Sequence, residues 1–379
     1  MKQKIKDFKS RKIVLTGGHA ATTALSVVEE LIRRNNKKEY LKWDIFWVGC
    51  EKAIEGENVP TLESEIFPKK GIKSFQIKTG RIQRKFTLWT IPSVAKIPIG
   101  FFQSYKILKN IKPDVICSFG GFAAFPVVVV GYILRIPIVV HEQTFHVGRA
   151  NKISSVFAKK IALARKESLK YTNKKKATVT GNPILTQISE ITPKDNMEDP
   201  PVLFIAGGSR GSRHLNNLIG EIINNLLDDF YVIHLTGLID YKKILDKKKE
   251  LTQEKQEHYE IYSRVDPMQI DGIYKRADIV VARAGANTVS EVIASKRPAL
   301  FIPLPISHQK DQPANAQMAE EYGIAKILYQ KNITGELLLN EIYLIKKNWK
   351  KMVESVKNKN VFDKKASLRL VNLIEEISR

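Results

Sequence analysis

The chain has 379 residues, of which 43% are hydrophobic and 27% charged, a composition typical of a globular protein with about two domains. Lysine and arginine number 62 against 39 aspartates and glutamates, and the formal net charge of +23 favours phosphorylated substrates, anionic lipid or nucleic acid as partners. The two cysteines, Cys50 and Cys117, exclude a disulfide framework, and the N-terminal "MKQKIKDFKSRK" lacks the apolar core of a signal peptide. We therefore expect a protein of a reducing compartment.

Apolar, β-rich segments alternate with helical segments along the chain, and the series occurs twice. Strands of the first series are predicted at 12–17, 44–49, 114–119 and 136–141. Strands of the second series are predicted at 201–208, 230–237, 277–285 and 297–304. The main intervening helices are predicted at 22–35, 122–134, 214–227 and 287–296. Uninterrupted apolar strands separated by helices predict α/β domains, each with a doubly wound parallel sheet covered on both faces.

A polar, proline-containing stretch over 183–200 separates the two series. We place a first domain at 1–184 and a second at 185–359, with a last helix at about 360–379 returning to the first. Because ligands of open α/β sheets bind at the carboxyl ends of the strands, we expect the site in a cleft between the two domains.

One uncharged run, residues 115–134, is long enough to cross a bilayer. It contains Gly120-Gly121 and Pro126, which interrupt a continuous helix. The run therefore favours a strand, a glycine turn and a buried helix over a membrane span.

Three strands are followed by glycine-rich turns, in "LTGGHAATTAL" (15–25), "SFGGFAAF" (118–125) and "AGGSRGSRHLN" (206–216). Glycines let backbone N–H groups approach a ligand, and the helix that follows favours an anion at its N-terminus. A single turn of this kind is often only a tight turn, but three together indicate phosphate binding. None matches G-x-G-x-x-G or G-x-x-x-x-G-K-[ST], which disfavours dinucleotide and P-loop sites.

Polar side chains also stand at the strand ends. His141 and Glu142 close the strand "PIVVHE" and point to the ligand cleft, unless one of them caps the next segment. Gln312 and Asn315 follow the last strong strand, and amides bind sugar hydroxyls well, although they also cap helices.

The stretch "RAGANTVSE" (283–291) allows two interpretations of Glu291. A helix is predicted to begin at Asn287 or Thr288, which puts the glutamate in its first turn. Thr288-Val289-Ser290-Glu291 then matches the capping box S/T-x-x-E, so Glu291 would close the helix end. The position at a strand end favours instead a carboxylate that accepts both hydrogens of a ribose diol.

Residues 66–113 contain eleven lysines and arginines and no aspartate or glutamate. Apolar residues recur there at roughly helical spacing, and cations flank them, which is the composition of a helix on an anionic membrane. The surface is predicted from Arg84, Lys85, Leu88, Ile91, Lys96, Phe101 and Phe102. The alternatives are an amphipathic helix packed on a sheet and a nucleic-acid surface, for which no recognisable motif is present.

Taken together, the motifs resemble those of the MurG family of peptidoglycan N-acetylglucosaminyltransferases, whose fold is the two-domain GT-B fold. The matching stretches run in order along about four-fifths of the chain: "TGGH" (16–19), "IKPDVICSFGGF" (111–122), "RIPIVVHEQT" (135–144), "GNP" (181–183), "GGSRGS" (207–212), "ADIVVARAGANTVSE" (277–291) and "DQPANA" (311–316). "HEQ" and "RAGA.T.SE" are the most specific of these.

The resemblance implies an inverting transferase that moves N-acetylglucosamine from UDP-N-acetylglucosamine to the 4-hydroxyl of a polyprenyl-diphosphate-linked muramyl peptide. It also implies a peripheral position at the cytoplasmic face of the bacterial membrane and a part in cell-wall synthesis, cell shape and division. His19 is the candidate general base, with Glu142 and His141 as second choices. The implied donor site comprises Thr16, Gly17, Gly18, Thr144, Ser209, Val265, Ala286, Asn287, Thr288, Val289, Ser290, Glu291 and Gln312.

No metal or other cofactor is expected, because no Asp-x-Asp pair occurs in the chain. Helix N-termini and cations would then stabilise the leaving diphosphate. Alternatives among enzymes are a lipid glycosyltransferase with a diacylglycerol acceptor and a UDP-N-acetylglucosamine epimerase. Outside enzymes, a basic nucleic-acid- or glycan-binding module remains an alternative.

Overall fold

The computed structural model describes residues 10–18, 20–37, 41–50, 61–79, 90–208, 211–305 and 311–378, with only the backbone for 90–96. The chain divides into two compact units. Unit 1 comprises Met1–Leu185 and Lys365–Arg379, and unit 2 comprises Thr186–Lys364. The division falls one residue after the predicted boundary, and the chain returns to unit 1 at Lys365.

Each unit contains one fully parallel sheet. The seven strands of unit 1 have the order β3-β2-β1-β4-β5-β6-β7 and are β1 Arg11–Gly17, β2 Trp43–Gly49, β3 Lys73–Gln76, β4 Val115–Ser118, β5 Ile138–Glu142, β6 Lys160–Leu163 and β7 Ala177–Val179. The six strands of unit 2 have the order β10-β9-β8-β11-β12-β13 and are β8 Val202–Ala206, β9 Tyr231–Leu235, β10 Tyr259–Tyr262, β11 Ile279–Ala282, β12 Ala299–Phe301 and β13 Ala325–Ile327. In each sheet the strand order reverses next to the first strand of the unit, between β1 and β4 and between β8 and β11. Such a reversal creates a crevice at the carboxyl ends of the strands.

Fourteen α-helices lie in the described part of the chain. They are α1 Ala21–Asn35, α2 Leu62–Lys69, α3 Thr90–Ile111, α4 Ala124–Ile133, α5 Arg149–Phe157, α6 Thr186–Ser189, α7 Arg213–Asp229, α8 Tyr241–Lys249, α9 Gln253–Glu257, α10 Ile270–Arg276, α11 Ala286–Ser295, α12 Asp311–Tyr322, α13 Gly335–Val356 and α14 Ala366–Ile377. Short 3-10 helices occur at Lys166–Tyr171 and Phe362–Lys365. The prediction of two parallel-sheet α/β domains is confirmed.

The uncharged run over 115–134 folds as predicted. It contains β4, a turn in which Gly120 and Gly121 have φ of 80° and 87°, and the helix α4, which is mostly buried except for Tyr132 and Ile133 at its end. A side chain at either glycine would be strained by this backbone conformation. None of the helices described is long and apolar enough to cross a membrane.

The last helix, α14, packs against α1 and so belongs to the core of unit 1. Arg34 of α1 is 2% exposed and is the centre of this contact. Its guanidinium donates to Glu30 at 2.8 Å and to Asn372 at 2.6 Å, and it pairs with Glu375 at 2.7 Å. A buried arginine is stable only when carboxylates and other acceptors surround it, and α14 supplies two of them.

Candidate functional site

At the carboxyl edge of the unit 1 sheet, the glycine turns after β1 and β4 touch each other. The Gly18 N–H donates to the Gly120 carbonyl at 2.9 Å, and a Cβ on Gly121 would lie 3.0 Å from the Gly18 nitrogen. Glycine is therefore required for two backbones to approach this closely. Thr16, at the end of β1, is buried, and its hydroxyl has no hydrogen-bond partner among the described residues. His19, which follows Gly17 and Gly18, lies outside the described residues.

Glu142, at the end of β5, organises the loop that follows it. Its carboxylate accepts from the backbone N–H of Thr144 at 3.0 Å and of Gly148 at 2.9 Å, and from the Asn151 amide at 2.9 Å. The Thr144 hydroxyl lies 2.9 Å from the same carboxylate. Because its oxygens are engaged by its own loop, the geometry favours a loop-positioning role for Glu142 over proton transfer. The Thr144 hydroxyl is equally occupied within this loop.

His141 is fully buried in β5. Its Nε2 lies 3.1 Å from the Gly181 carbonyl, and its ring meets that of Phe119 edge-on at 6.0 Å. A side chain enclosed in this way cannot reach a substrate, so the placement argues against His141 as the base. The sequence predicted that His141 points to the ligand cleft, whereas the structure has it in the core. Side chains alternate between the two faces of a strand, so a residue just before the strand end can point into the core as readily as into the crevice.

Asn151 lies between the loop after β5 and the glycine turn after β4, and its role was not predicted from the sequence. Its amide nitrogen donates to the His141 carbonyl at 3.2 Å and to Glu142, while its Oδ1 lies where a Cβ on Gly120 would be placed. The loop after β5 and the glycine turn after β4 are thereby joined. An asparagine near the start of a helix carries no signal of such a role without the structure.

In unit 2, the local structure around Glu291 decides between the two interpretations of the sequence. Helix α11 begins at Ala286 with Gly285 as its N-cap, earlier than predicted, and no side chain makes a capping hydrogen bond. Glu291 is therefore in the second turn, and the expectation of a first-turn glutamate was wrong. The capping box does not form, because Gly285 already provides the extended residue from which the helix starts.

Glu291 is partly buried and has one specific neighbour. The Tyr274 hydroxyl donates to its Oε2 at 3.1 Å. Burial raises the pKa of the Glu291 carboxyl to about 7, and the hydrogen bond from Tyr274 opposes this rise. A desolvated carboxyl group with an unusual pKa at a strand-end crevice is a candidate for ligand binding.

The remaining residues of this motif divide by helical periodicity. Ala286, Asn287 and Thr288 are partly exposed in the first turn. Val289 and Ser290 are fully buried, and the Ser290 hydroxyl donates to Asp363 at 2.8 Å. The side chains of Val289 and Ser290 therefore face the core, which argues against side-chain contacts between these two residues and the donor.

The glycine turn after β8 is attached to the end of β11 by a buried cation. Arg283 is 4% exposed; its Nε donates to the Ser212 hydroxyl at 3.0 Å and its NH1 to the Ile302 carbonyl at 2.9 Å. Ser212 is in turn the N-cap of α7 and accepts from the Leu215 N–H. Ser209, in the same turn, lies outside the described residues. Arg283 was missed, although a charged residue at the end of an apolar strand is a recognisable signal.

Two amides of α12 bind backbone beside this site. The Gln312 side-chain oxygen accepts from the Leu304 N–H at 2.9 Å, and the Asn315 amide, 2% exposed, donates to the Ala284 carbonyl at 3.1 Å. They fix the loops that follow β12 and β11. Val265 is partly buried in the loop after β10. Among the residues described, no group of three or more histidine, cysteine, aspartate or glutamate side chains is arranged to hold a metal ion.

The predicted membrane surface is only partly described. Arg84, Lys85 and Leu88 lie outside the described residues, and for Ile91 and Lys96 only the backbone of α3 is described. Phe102 is 60% exposed, with the Lys106 ammonium 4.6 Å from the centre of its ring. Phe101 is the exception, because it packs edge-on against Phe125 at 6.1 Å and joins the core of unit 1.

Comparison with known proteins places this architecture in a family. The chain matches the Glycosyltransferase family 28 N-terminal domain over residues 13–163 and the C-terminal domain of the same family over residues 202–370. It is 31% identical to the UDP-N-acetylglucosamine--N-acetylmuramyl-(pentapeptide) pyrophosphoryl-undecaprenol N-acetylglucosamine transferase of Clostridium tetani, with 97% of this chain and 98% of the relative covered.

Solved structures show the same fold. MurG of Acinetobacter baumannii has a TM-score of 0.65 at 23% identity, covering 97% of this chain and 99% of that one. A UDP-GlcNAc 2-epimerase of Neisseria meningitidis bound to UDP-GlcNAc has a TM-score of 0.63 at 13% identity, covering 97% and 100%. At these identities, the solved structures show only the fold. The two family-28 domain matches and the relative that is 31% identical over nearly its full length show the family. The chain therefore belongs to glycosyltransferase family 28 and, within it, to the MurG family.

Proposed function

We propose that this chain transfers N-acetylglucosamine from UDP-N-acetylglucosamine to the 4-hydroxyl of the muramyl sugar in undecaprenyl-diphosphate-linked muramyl pentapeptide. The relatives carry this activity in their names. The observation that supports it most directly is Glu291, a partly buried carboxylate in the second turn of α11 that has no capping role. A carboxylate at the carboxyl edge of a parallel sheet is suited to accept both hydroxyls of the donor ribose.

The chemical step is a displacement at the anomeric carbon. The acceptor hydroxyl attacks, its proton passes to a base, and UDP leaves with inversion. We assign the base to His19 from its position after Gly17 and Gly18, since His141 is enclosed in the core and Glu142 is held by its own loop. We assign stabilisation of the leaving diphosphate to the N-terminus of α7, which Ser212 caps and Arg283 contacts.

The experiment that tests this function is release of UDP from UDP-N-acetylglucosamine with a short-chain lipid-linked muramyl pentapeptide, coupled to detection of the disaccharide product. We expect product only when both substrates are present. Transfer to diacylglycerol instead would show that the proposed acceptor is wrong. Conversion of the donor to its 2-epimer without any acceptor would show that the protein is an epimerase and not a transferase. Salt-dependent RNA binding with no affinity for UDP would reject an enzyme altogether.

Donor binding is expected to weaken as the pH falls through 7. Glu291 binds a ribose diol best when ionised, and in the free protein burial holds its pKa at about 7, so proton binding competes with the ligand at lower pH. We expect the Kd of UDP to be about five- to tenfold higher at pH 6 than at pH 8, measured by titration calorimetry.

The control for this measurement is Glu291→Gln, which cannot ionise. UDP itself gains a proton in this range, and the variant retains that contribution. A wild-type profile parallel to that of Glu291→Gln would show that the carboxylate does not contribute to the pH dependence.

We further propose that unit 1 docks on the anionic membrane through its apolar surface, at the cytoplasmic face. This apolar surface comprises the exposed side chains of three helices that pack in sequence, α3, α4 and α5: Ile99, Phe102, Tyr105, Tyr132, Ile133, Ile153 and Val156. Lys106 and Lys109 lie over the rings of Phe102 and Tyr105. Exposed aliphatic and aromatic groups interleaved with cations are suited to the interface of an anionic bilayer.

The test of docking is the combined variant Phe102→Ser, Tyr132→Ser and Ile133→Ser. Its affinity for vesicles of phosphatidylglycerol and phosphatidylcholine, measured by sedimentation, is expected to fall at least about tenfold. The reason is that the three side chains that would be buried in the bilayer are replaced by small polar ones. The control is Leu337→Ser with Leu344→Ser, which removes two exposed leucines of unit 2. Equal loss in both variants, or binding to neutral vesicles alone, would contradict an anionic docking surface on unit 1.

A further inference from the structure

Tyr274, whose hydroxyl contacts Glu291, is held in place by three separate contacts. It lies in α10, is 1% exposed, and its ring meets that of Phe204 on β8 edge-on at 5.6 Å. Its backbone carbonyl accepts from the Arg297 Nε at 2.9 Å. Its hydroxyl, the third fixed point, reaches Glu291. Neither the ring nor the backbone of Tyr274 can move without disturbing the packing of unit 2.

Arg297 ties Tyr274 to the far end of α11. It is 2% exposed, and its guanidinium also donates to the carbonyls of Thr192 at 3.0 Å and Ser295 at 2.8 Å. Lys296 ends α11 in the left-handed conformation with φ of 53°, which turns the chain so that Arg297 reaches back under α10. The helix that carries Glu291 and the helix that carries its partner are therefore held by one buried cation.

The hydroxyl of Tyr274 can serve only as a donor to the carboxylate. Burial raises its pKa well above the ordinary value, and the neighbouring Glu291 adds to this effect, so the phenol keeps its proton at any working pH. Among the described residues, Tyr274 is the one side chain recorded in a hydrogen bond with the Glu291 carboxylate. Fixing Oε2 in this way also fixes the direction in which Oε1 points.

We propose that Tyr274 is a positioning residue for the donor: it aims the Glu291 carboxylate at the two hydroxyls of the ribose. This inference rests on the proposed function and adds to it a residue that does not touch the substrate. Without the phenol, the carboxylate can rotate about its side-chain bonds, and the bidentate contact with the diol is made in only a fraction of its conformations. The effect should therefore depend on the ribose hydroxyls and not on the fold.

The test compares Tyr274→Phe with wild type for binding of UDP and of 2′,3′-dideoxyuridine diphosphate. The phenylalanine keeps the ring contact with Phe204 and removes only the hydroxyl. We expect the Kd of UDP to rise about five- to tenfold, in line with the loss of one hydrogen bond of ordinary strength, while the Kd of the dideoxy ligand is unchanged. In turnover, the same variant should raise the KM for UDP-N-acetylglucosamine and leave kcat within about twofold.

Two further variants separate the possible failures. Tyr343→Phe removes another tyrosine–carboxylate bond of unit 2, 2.6 Å to Asp229, and should leave both affinities unchanged. Glu291→Ala should abolish the preference for UDP over the dideoxy ligand; if wild type itself shows no preference, the ribose role of Glu291 fails. If that preference is present and Tyr274→Phe retains it, or weakens both ligands equally, the positioning role alone is overturned. Adding Tyr274→Phe to Glu291→Ala should have no additional effect.

Discussion

Glu291→Ala is expected to reduce kcat/KM for UDP-N-acetylglucosamine about a hundredfold, mainly through KM, because two hydrogen bonds from the ribose to a charged acceptor are lost. The same change is expected to leave the unfolding transition within about 1 kcal/mol of wild type. Glu291 caps no helix, and its pKa is raised from 4.5 to about 7, so this carboxyl lowers the stability of the folded state as the pH rises from 4.5 to about 7 and adds none at neutral pH. Steady-state kinetics and urea denaturation measure the two effects separately.

The matched control is Glu354→Ala, which removes an exposed helical glutamate of the same unit. It should change neither kinetics nor stability. If Glu291→Ala lowered the stability and left KM unchanged, the residue would be structural and the ribose contact would be rejected.

Glu142→Ala is expected to act in the opposite manner, with a loss of about 3 kcal/mol in the free energy of unfolding. The substitution leaves the N–H groups of Thr144 and Gly148 and the amide of Asn151 without their acceptor in a partly buried loop. Activity should fall as well, since Asn151 then no longer holds the glycine turn after β4. Urea denaturation of the purified variant, beside its specific activity, is the measurement.

Glu167→Ala is the control, because Glu167 is exposed in the same unit. A general base would give a different pattern from a loop-positioning residue. Removal of a general base would abolish kcat and leave the stability unchanged. That result for Glu142→Ala would restore Glu142 as the proton acceptor.

The sequence predicted the eight central strands because each long apolar run had to be buried on both faces of a sheet, and it predicted the helices α1, α4, α7 and α11 between them. The five strands that it missed, β3, β6, β7, β10 and β13, have three or four residues and lie at or next to the edges of the sheets. An edge strand has one neighbour and needs less apolar sequence, as in "KSFQ" and "ATV", so periodicity gives little signal there.

The candidate site was predicted at the level of strand ends and not of individual contacts. Glu291 was recognised from its motif, but the motif alone favoured capping, and only the start of α11 at Ala286 removed that interpretation. Val289 and Ser290 were implied by the resemblance together with the whole motif, whereas a helix turns adjacent residues to different sides. Tyr274 and Asn151 act through distant partners, which no local pattern reveals. Arg283 did carry a signal, because it is a charged residue at the end of an apolar strand.

The return of α14 to unit 1 has a consequence for biosynthesis. Ribosomes make proteins from the N-terminus, and domains ordinarily fold in that order. Here the segment that covers α1 and pairs with Arg34 is translated only after all of unit 2. During synthesis, the face of α1 that α14 covers therefore stays uncovered until unit 2 and then α14 have emerged.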